Sequence, residues 1–163
     1  MARMQDKVAL VTGAGSGIGR ASAGAMGREG AKVIVADIDA GRVEATARDL
    51  TAEGLEVVSL VMDVTDEASV EAGVTDAAGR FGGLNVLVNC AGGSIPEDQA
   101  ITDVDMSVWD HTISLDLRGT FHVCRHGIPH LANAGGGSIV NFTSVVALQG
   151  NFRGHVYTAA KGG

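Results

Sequence analysis

Lys7–Gly19 reads KVALVTGAGSGIG, an apolar, β-branched run that breaks into glycines and at Ile18 opens a stretch of helical period reaching about Glu29. Strand, glycine turn and helix in that order suit an anion-binding βα unit. The strand must be left tightly, bare backbone must admit a pyrophosphate, and the N–H groups of the helix start must face it. The familiar G-x-G-x-x-G spacing fails by one residue, because from Gly13 and Gly15 the third glycine would fall at Ile18. Gly13, Gly17 and Gly19 offer G-x-x-x-G-x-G instead, and the surrounding order favours a phosphate turn over a plain glycine-rich bend.

The same alternation continues outward. AKVIVAD (Ala31–Asp37) predicts a second strand, followed by a helix near 42–53, EVVSLVMDV (Glu56–Val64), a helix near 67–81 and LNVLVN (Leu84–Asn89). A loop of about a dozen residues leads to one long helical stretch over about 107–132, then to GSIVNFTS (Gly137–Ser144) and a tail carrying Tyr157. The strands are continuous apolar runs, as in a parallel sheet covered on both faces. Strands taking turns with helices predict an α/β, doubly wound sheet in one domain, 1–163, with no repeat or linker.

A net charge of −7, a pI near 5.0 and the lack of any Lys/Arg cluster argue against a nucleic-acid or anionic-membrane partner. No run approaches the roughly 18–20 apolar residues of a membrane span, and MARMQDKVALVTG lacks a signal-peptide plan, so the cytoplasm is the expected location. Cys90 and Cys124 have no metal-ligand spacing and read as reduced, half-buried small hydrophobes. His122, His126 and His130 recur every four residues, but no acid joins them and Gly127 and Pro129 interrupt the stripe, so no metal site is expected.

Asp37 closes the second strand at about the twenty-residue offset where an acid receives an adenosine ribose. Its carboxylate would bond a free 2′-hydroxyl and repel a 2′-phosphate, and neither Ser16 nor Ile38 supplies a compensating cation, which favours NAD over NADP. The plainer alternative is a solvated Asp in the turn Asp37-Ile38-Asp39. Tyr157, the only tyrosine, stands one helical turn before Lys161, one of three lysines. A phenol titrates near 10, too high for proton transfer at neutral pH unless a nearby ammonium stabilises the phenolate. Ser144 ends the fifth predicted strand thirteen residues earlier, where its hydroxyl could hold a substrate oxygen. Read singly, Ser144 fits a turn serine and Tyr157 with Lys161 an ordinary surface pair.

Together, TGAGSGIG (Thr12–Gly19), Asp37, Asp63, NCAG (Asn89–Gly92), Ser144 and Tyr157-x-x-x-Lys161 resemble the short-chain dehydrogenase/reductase family over the whole available length. The resemblance implies a Rossmann-type sheet and hydride transfer between NAD and a secondary alcohol or carbonyl. It implies that Tyr157 exchanges the proton, that Lys161 lowers the tyrosine's pKa and bonds the nicotinamide ribose, and that Ser144 orients the substrate oxygen. It further implies a cofactor-binding set: Gly13, Ser16, Gly17, Ile18 and Gly19 at the pyrophosphate turn, Asp37 at the ribose, Asp63 and Val64 at the adenine. Asn89, steadying the sheet, Ala91 and Gly92, letting the cofactor lie flat, and Tyr157 and Lys161 themselves complete that set.

Two positions depart from the family pattern. Cys90 replaces the second asparagine of N-N-A-G, and in WDHTISLDLRGTF Asp116 stands where an asparagine usually completes a proton relay to the lysine. A carboxylate there accepts hydrogen bonds but opposes phenolate formation, so Asp116 is expected in the catalytic set with an altered relay. His155, Gln149 and Phe152 are expected near the substrate. Family members pair through the long helix and the tyrosine helix, which implies a homodimer or homotetramer at full length, with Phe121, Val123 and Cys124 at an interface or on the sheet.

Family chains also continue past the lysine, so the sequence predicts the first five strands and their helices with the C-terminal part of the fold missing. On its own, the 163-residue chain is expected to aggregate, or to bind NAD weakly with little activity. Alternatives are a 3-oxoacyl-carrier-protein reductase-like ketoreductase and a nucleotide-binding fragment without turnover.

Overall fold

The apolar runs become five strands, β1 (Val8–Thr12), β2 (Lys32–Asp37), β3 (Val57–Val61), β4 (Val86–Asn89) and β5 (Ser138–Asn141), in a computed structural model that describes residues 2–150 and 152–163. All pairings are parallel and the order is β3-β2-β1-β4-β5, with Leu10 facing Ile34 on one side and Leu87 on the other. Successive side chains of a strand point to opposite faces. Val8 and Leu10 therefore join Val74 and Leu131 in one core, while Ala9 and Val11 join Val43 and Leu50 in another. Two covered faces explain why β1 is buried at every residue and reads as an unbroken apolar run.

Helices α1 (Gly17–Arg28) and α2 (Ala40–Ala52) line one face, and α3 (Glu67–Arg80) packs with a later helix over Gly119–Asn133 on the other. Local capping sets their starts. Asp39 accepts from the Arg42 N–H and opens α2; Asp66 accepts from the Ala68 N–H and opens α3. The chain leaves β1 for β2 in one direction and reaches β4 in the other, so a crevice opens at the carboxyl ends of the strands beside β1.

The stretch expected as one helix over 107–132 is three pieces in continuous succession: α4 (Met106–Thr112), a π-helical turn (Ile113–Arg118) and α5 (Gly119–Asn133). Gly127 and Pro129 do not end α5; Gly127 packs where a Cβ would collide with Leu87. The π-turn carries Asp116 inward to full burial, a geometry that a uniform 3.6-residue period does not forecast. Of the residues expected at an interface or on the sheet, Val123 is in the core, Cys124 is half-buried and Phe121 is exposed.

After β5, a 3-10 turn (Val145–Ala147) leads to α6 (His155–Gly162), which bears Tyr157 and Lys161 and packs on the π-turn and α4. Ser144 lies three residues beyond β5, where its Oγ accepts from the Val146 N–H at 3.4 Å and opens the 3-10 turn.

Candidate active site

A cleft of about 690 Å³ lies over the carboxyl ends of β1 to β4. Its wall includes Gly13, Ser16, Gly17, Ile18 and Gly19 after β1, Asp37 at the end of β2, Asp63 and Val64 after β3, and Ala91 and Gly92 after β4. Among residues singled out from sequence for a cofactor, these ten meet in one place.

The loop glycines do different work. Gly13 has φ +63°, and a Cβ there would lie 2.8 Å from the Ala91 backbone, so this residue lets β1 and β4 exit side by side. Gly17 opens α1 with φ +52° and nothing within 4 Å of its Cβ position, so the helix start presents bare backbone to the cleft. An N–H-lined helix start facing a cavity of this size suits a phosphate group.

Asp37 is held by its neighbours: Oδ2 accepts from the Gly15 N–H at 2.9 Å and Oδ1 from the Asp39 N–H at 3.1 Å. Asp63 Oδ1 takes the Thr65 N–H and hydroxyl, each at 2.8 Å. Asn89 is placed differently from the rest of the set. It is buried in the sheet, its Nδ2 donates to Asn141 Oδ1 at 2.8 Å, and it ties β4 to β5 without reaching the cleft wall.

Tyr157 and Lys161 share one face of α6, with Lys161 Nζ 5.7 Å from the centre of the Tyr157 ring. The ammonium is nearly buried and makes two contacts, Asp116 Oδ1 at 3.0 Å and the Phe142 carbonyl at 3.3 Å. Asp116 Oδ1 also accepts from the Gly93 N–H at 2.9 Å, while its Oδ2 is buried without a hydrogen-bond partner. Gly92, at φ +147°, separates this pair from the cleft. A Cβ on it would collide with the Asp116 carboxylate and sit 2.9 Å from Lys161 Nζ. The cleft and the Asp116–Lys161 pair therefore adjoin across a glycine whose backbone conformation other residues rarely adopt.

His155 starts α6, with its Nδ1 accepting from the Ile101 N–H at 2.9 Å, and Phe152 leans on Tyr157 with ring centres 6.4 Å apart. The histidine stripe is divided: His122 Nδ1 lies 3.2 Å from the Val64 carbonyl and His126 Nε2 lies 3.2 Å from Glu67 Oε1. The Cys90 thiol in the cleft wall is pushed up to about 11 by burial, against the pull of the Lys161 charge and a Ser22 hydrogen bond; burial also raises Cys124.

Three contributors carry no separate signal in the sequence. Thr12 Oγ1 accepts from the Cys90 and Ala91 N–H groups at 3.2 Å each and so shapes the turn after β4. Arg42 and His111 also line the cleft. Arg42 is a cation near Asp37 that inspection of Ser16 and Ile38 does not find, because it belongs to the next helix. Its Nε lies 3.2 Å from Asp39 Oδ2.

A family model described as short chain dehydrogenase matches residues 7–163. The cis-4-hydroxycyclohexanecarboxylate dehydrogenase of Sinomonas cyclohexanicum is 40% identical over 159 residues, covering 97% of this chain and 63% of that protein. The 3-oxoacyl-[acyl-carrier-protein] reductase of Thermotoga maritima is 37% identical over 163 residues, covering 99% of this chain and 65% of the relative. Among solved structures, the crystal structure of gox2181 superposes with a TM-score of 0.95 at 33% identity, covering 99% of this chain and 63% of the other. The chain thus spans less than two thirds of the length of each of these proteins.

Proposed function

The chain belongs to the short-chain dehydrogenase family, and from that premise we propose an oxidoreductase that moves a hydride between NAD(H) and a secondary alcohol or its carbonyl. The observation that carries this reading is the junction at Gly92, where a glycine-walled cleft meets a buried lysine one helical turn from the only tyrosine.

The residues present fit a dinucleotide. The open N-terminus of α1 at Gly17 suits the pyrophosphate, Asp37 the adenosine ribose, and Asp63 with Val64 the adenine. When bound, the nicotinamide supplies the hydride acceptor or donor. Tyr157 then takes the alcohol proton, or returns it to the carbonyl oxygen, at its phenolic oxygen. Lys161 stabilises the phenolate by its charge, and Ser144 holds the substrate oxygen with its hydroxyl.

Asp37 favours NAD, since its fixed carboxylate repels a 2′-phosphate and the Arg42 guanidinium is already matched by Asp39. Exposed apolar residues on α4 and α5, among them Trp109 and Phe121, support a homodimer or homotetramer at full length.

A reductase acting on carrier-bound acyl groups is the second reading, supported by the likeness to the Thermotoga protein. A nucleotide-binding piece without turnover is a third. Titration of NAD and NADP against Trp109 fluorescence, followed by hydride-transfer assays on secondary alcohols and a 3-oxoacyl thioester, separates all three. NAD is expected to bind at least about tenfold tighter than NADP, a difference of roughly 1.4 kcal/mol. Equal affinities overturn the cofactor assignment, and Tyr157→Phe with unchanged turnover overturns the proton-transfer role.

A further inference from the structure

Helix α6 begins without a cap of its own. Gly154 occupies the cap position, with no side chain to receive the first free N–H groups. The acceptor comes from the loop after β4, where Asp98 is 5% exposed. Asp98 Oδ1 accepts from the Val156 N–H at 3.1 Å and Oδ2 from the Tyr157 N–H at 2.7 Å. A side chain at 154 would interfere, because a Cβ there would lie 3.0 Å from Asp98 Oδ2 and 2.6 Å from the Phe152 ring. A second tie joins the same two segments, from the Ile101 N–H to His155 Nδ1.

We infer that Asp98 is a positioning residue for Tyr157, an assignment that rests on Tyr157 being the proton-transfer group proposed above. A buried carboxylate is costly unless hydrogen-bonded, and these two charge-assisted bonds at the positive end of a helix offset that cost. They also carry information about place. The place of Tyr157 in the fold is set by what grips the start of α6. Lys161 is gripped by Asp116 and the Phe142 carbonyl, and the backbone of Tyr157 by Asp98. With the backbone held at Tyr157 and the side chain held at Lys161, the direction from which the phenol enters the site is set. A misplacement of about 1 Å at such a group can slow a reaction on the order of 100-fold.

The test uses the full natural chain with Asp98→Ala, Asp98→Asn and Tyr157→Phe. For Asp98→Ala, kcat is expected to fall about 10- to 100-fold while the NAD dissociation constant changes less than about twofold, because the α6 residue next to the nucleotide cleft, Lys161, is held by Asp116 and the Phe142 carbonyl and not by Asp98. Amide hydrogen exchange at Val156 and Tyr157 is expected to accelerate. Asp98→Asn keeps one acceptor oxygen and is expected to restore part of both, which also provides the reading if the alanine variant does not fold. Unchanged kcat in the Asp98 variants, unchanged exchange at the two amides, or equal losses of kcat and NAD affinity overturn the positioning role. Should Tyr157→Phe retain turnover, the proton-transfer reading fails instead, whatever the exchange data show.

Discussion

The buried Asp116–Lys161 ion pair is the residue-scale feature on which the proposed proton transfer can be tested. Lys161 faces a carboxylate at 3.0 Å, which offsets the positive charge available to a phenolate on Tyr157. Asp116→Asn keeps an oxygen for the Lys161 ammonium and the Gly93 N–H while removing the negative charge. In the full-length enzyme the rate of alcohol oxidation at neutral pH is therefore expected to rise, and a rate identical to that of the parent would remove Asp116 from the relay. Asp116→Ala strands a buried ammonium and is expected to cost about 3–5 kcal/mol of stability, measured by denaturant unfolding.

Cys90 gives a second pH prediction. The thiolate is the reactive form, and with the thiol at about 11 little of it exists at neutral pH. Alkylation at pH 8 is thus expected to run on the order of 100-fold slower than for a free thiol, rising tenfold per pH unit until the thiol titrates. Rapid labelling of Cys90 at pH 8, read by mass spectrometry, would contradict this. That Tyr157 and Lys161 share one helix face was legible from sequence because they stand four residues apart in one helical stretch. Asp98 was not legible, because it acts across 59 residues and a lone acid in a loop carries no pattern.

At the scale of elements, the turn between β1 and α1 separates two kinds of glycine that spacing alone treats alike. Gly13 combines left-handed backbone with a 2.8 Å approach to the Ala91 backbone, whereas Gly17 combines left-handed backbone with open space. Gly17→Ala is expected to cost only the conformational strain, about 1–2 kcal/mol, and to weaken NAD binding by putting a methyl group at the cleft. Gly13→Ala adds a collision that neither strand can relieve, raising the expected cost to about 3 kcal/mol or more. Urea unfolding of both variants, paired with NAD titration, reads the difference; equal losses in stability would mean that Gly13 does not set the strand exit. Strand and helix order was legible because both periods are written in the apolar pattern. The π-turn at Ile113–Arg118 was not, since one widened turn leaves the flanking helical periodicity intact while redirecting Asp116.

Across the whole molecule, the two halves of the sheet are unequally protected. β1 and β2 lie in the interior of the sheet with strands on both sides, while β5 pairs only with β4 and is exposed at all four residues. The sequence announces this only as an apolar run, because a strand that is covered and one that is bare have the same composition. Ile139 and Val140 are 37% and 43% exposed on an edge whose outer N–H and C=O groups have no strand partner among the described residues. Such an edge is a template for another strand. The 163-residue chain alone is therefore expected to self-associate as its concentration rises, with sedimentation velocity showing species larger than a monomer. Ile139→Lys with Val140→Lys is expected to suppress the association, because edge lysines must be desolvated and brought together when two edges pair. Ile128→Lys, on the exposed surface of α5, serves as the control and is expected to leave it unchanged. If the Ile128 variant alone abolishes association, the contact runs through the helices and not through β5; a chain that stays monomeric at every concentration shows the edge to be harmless.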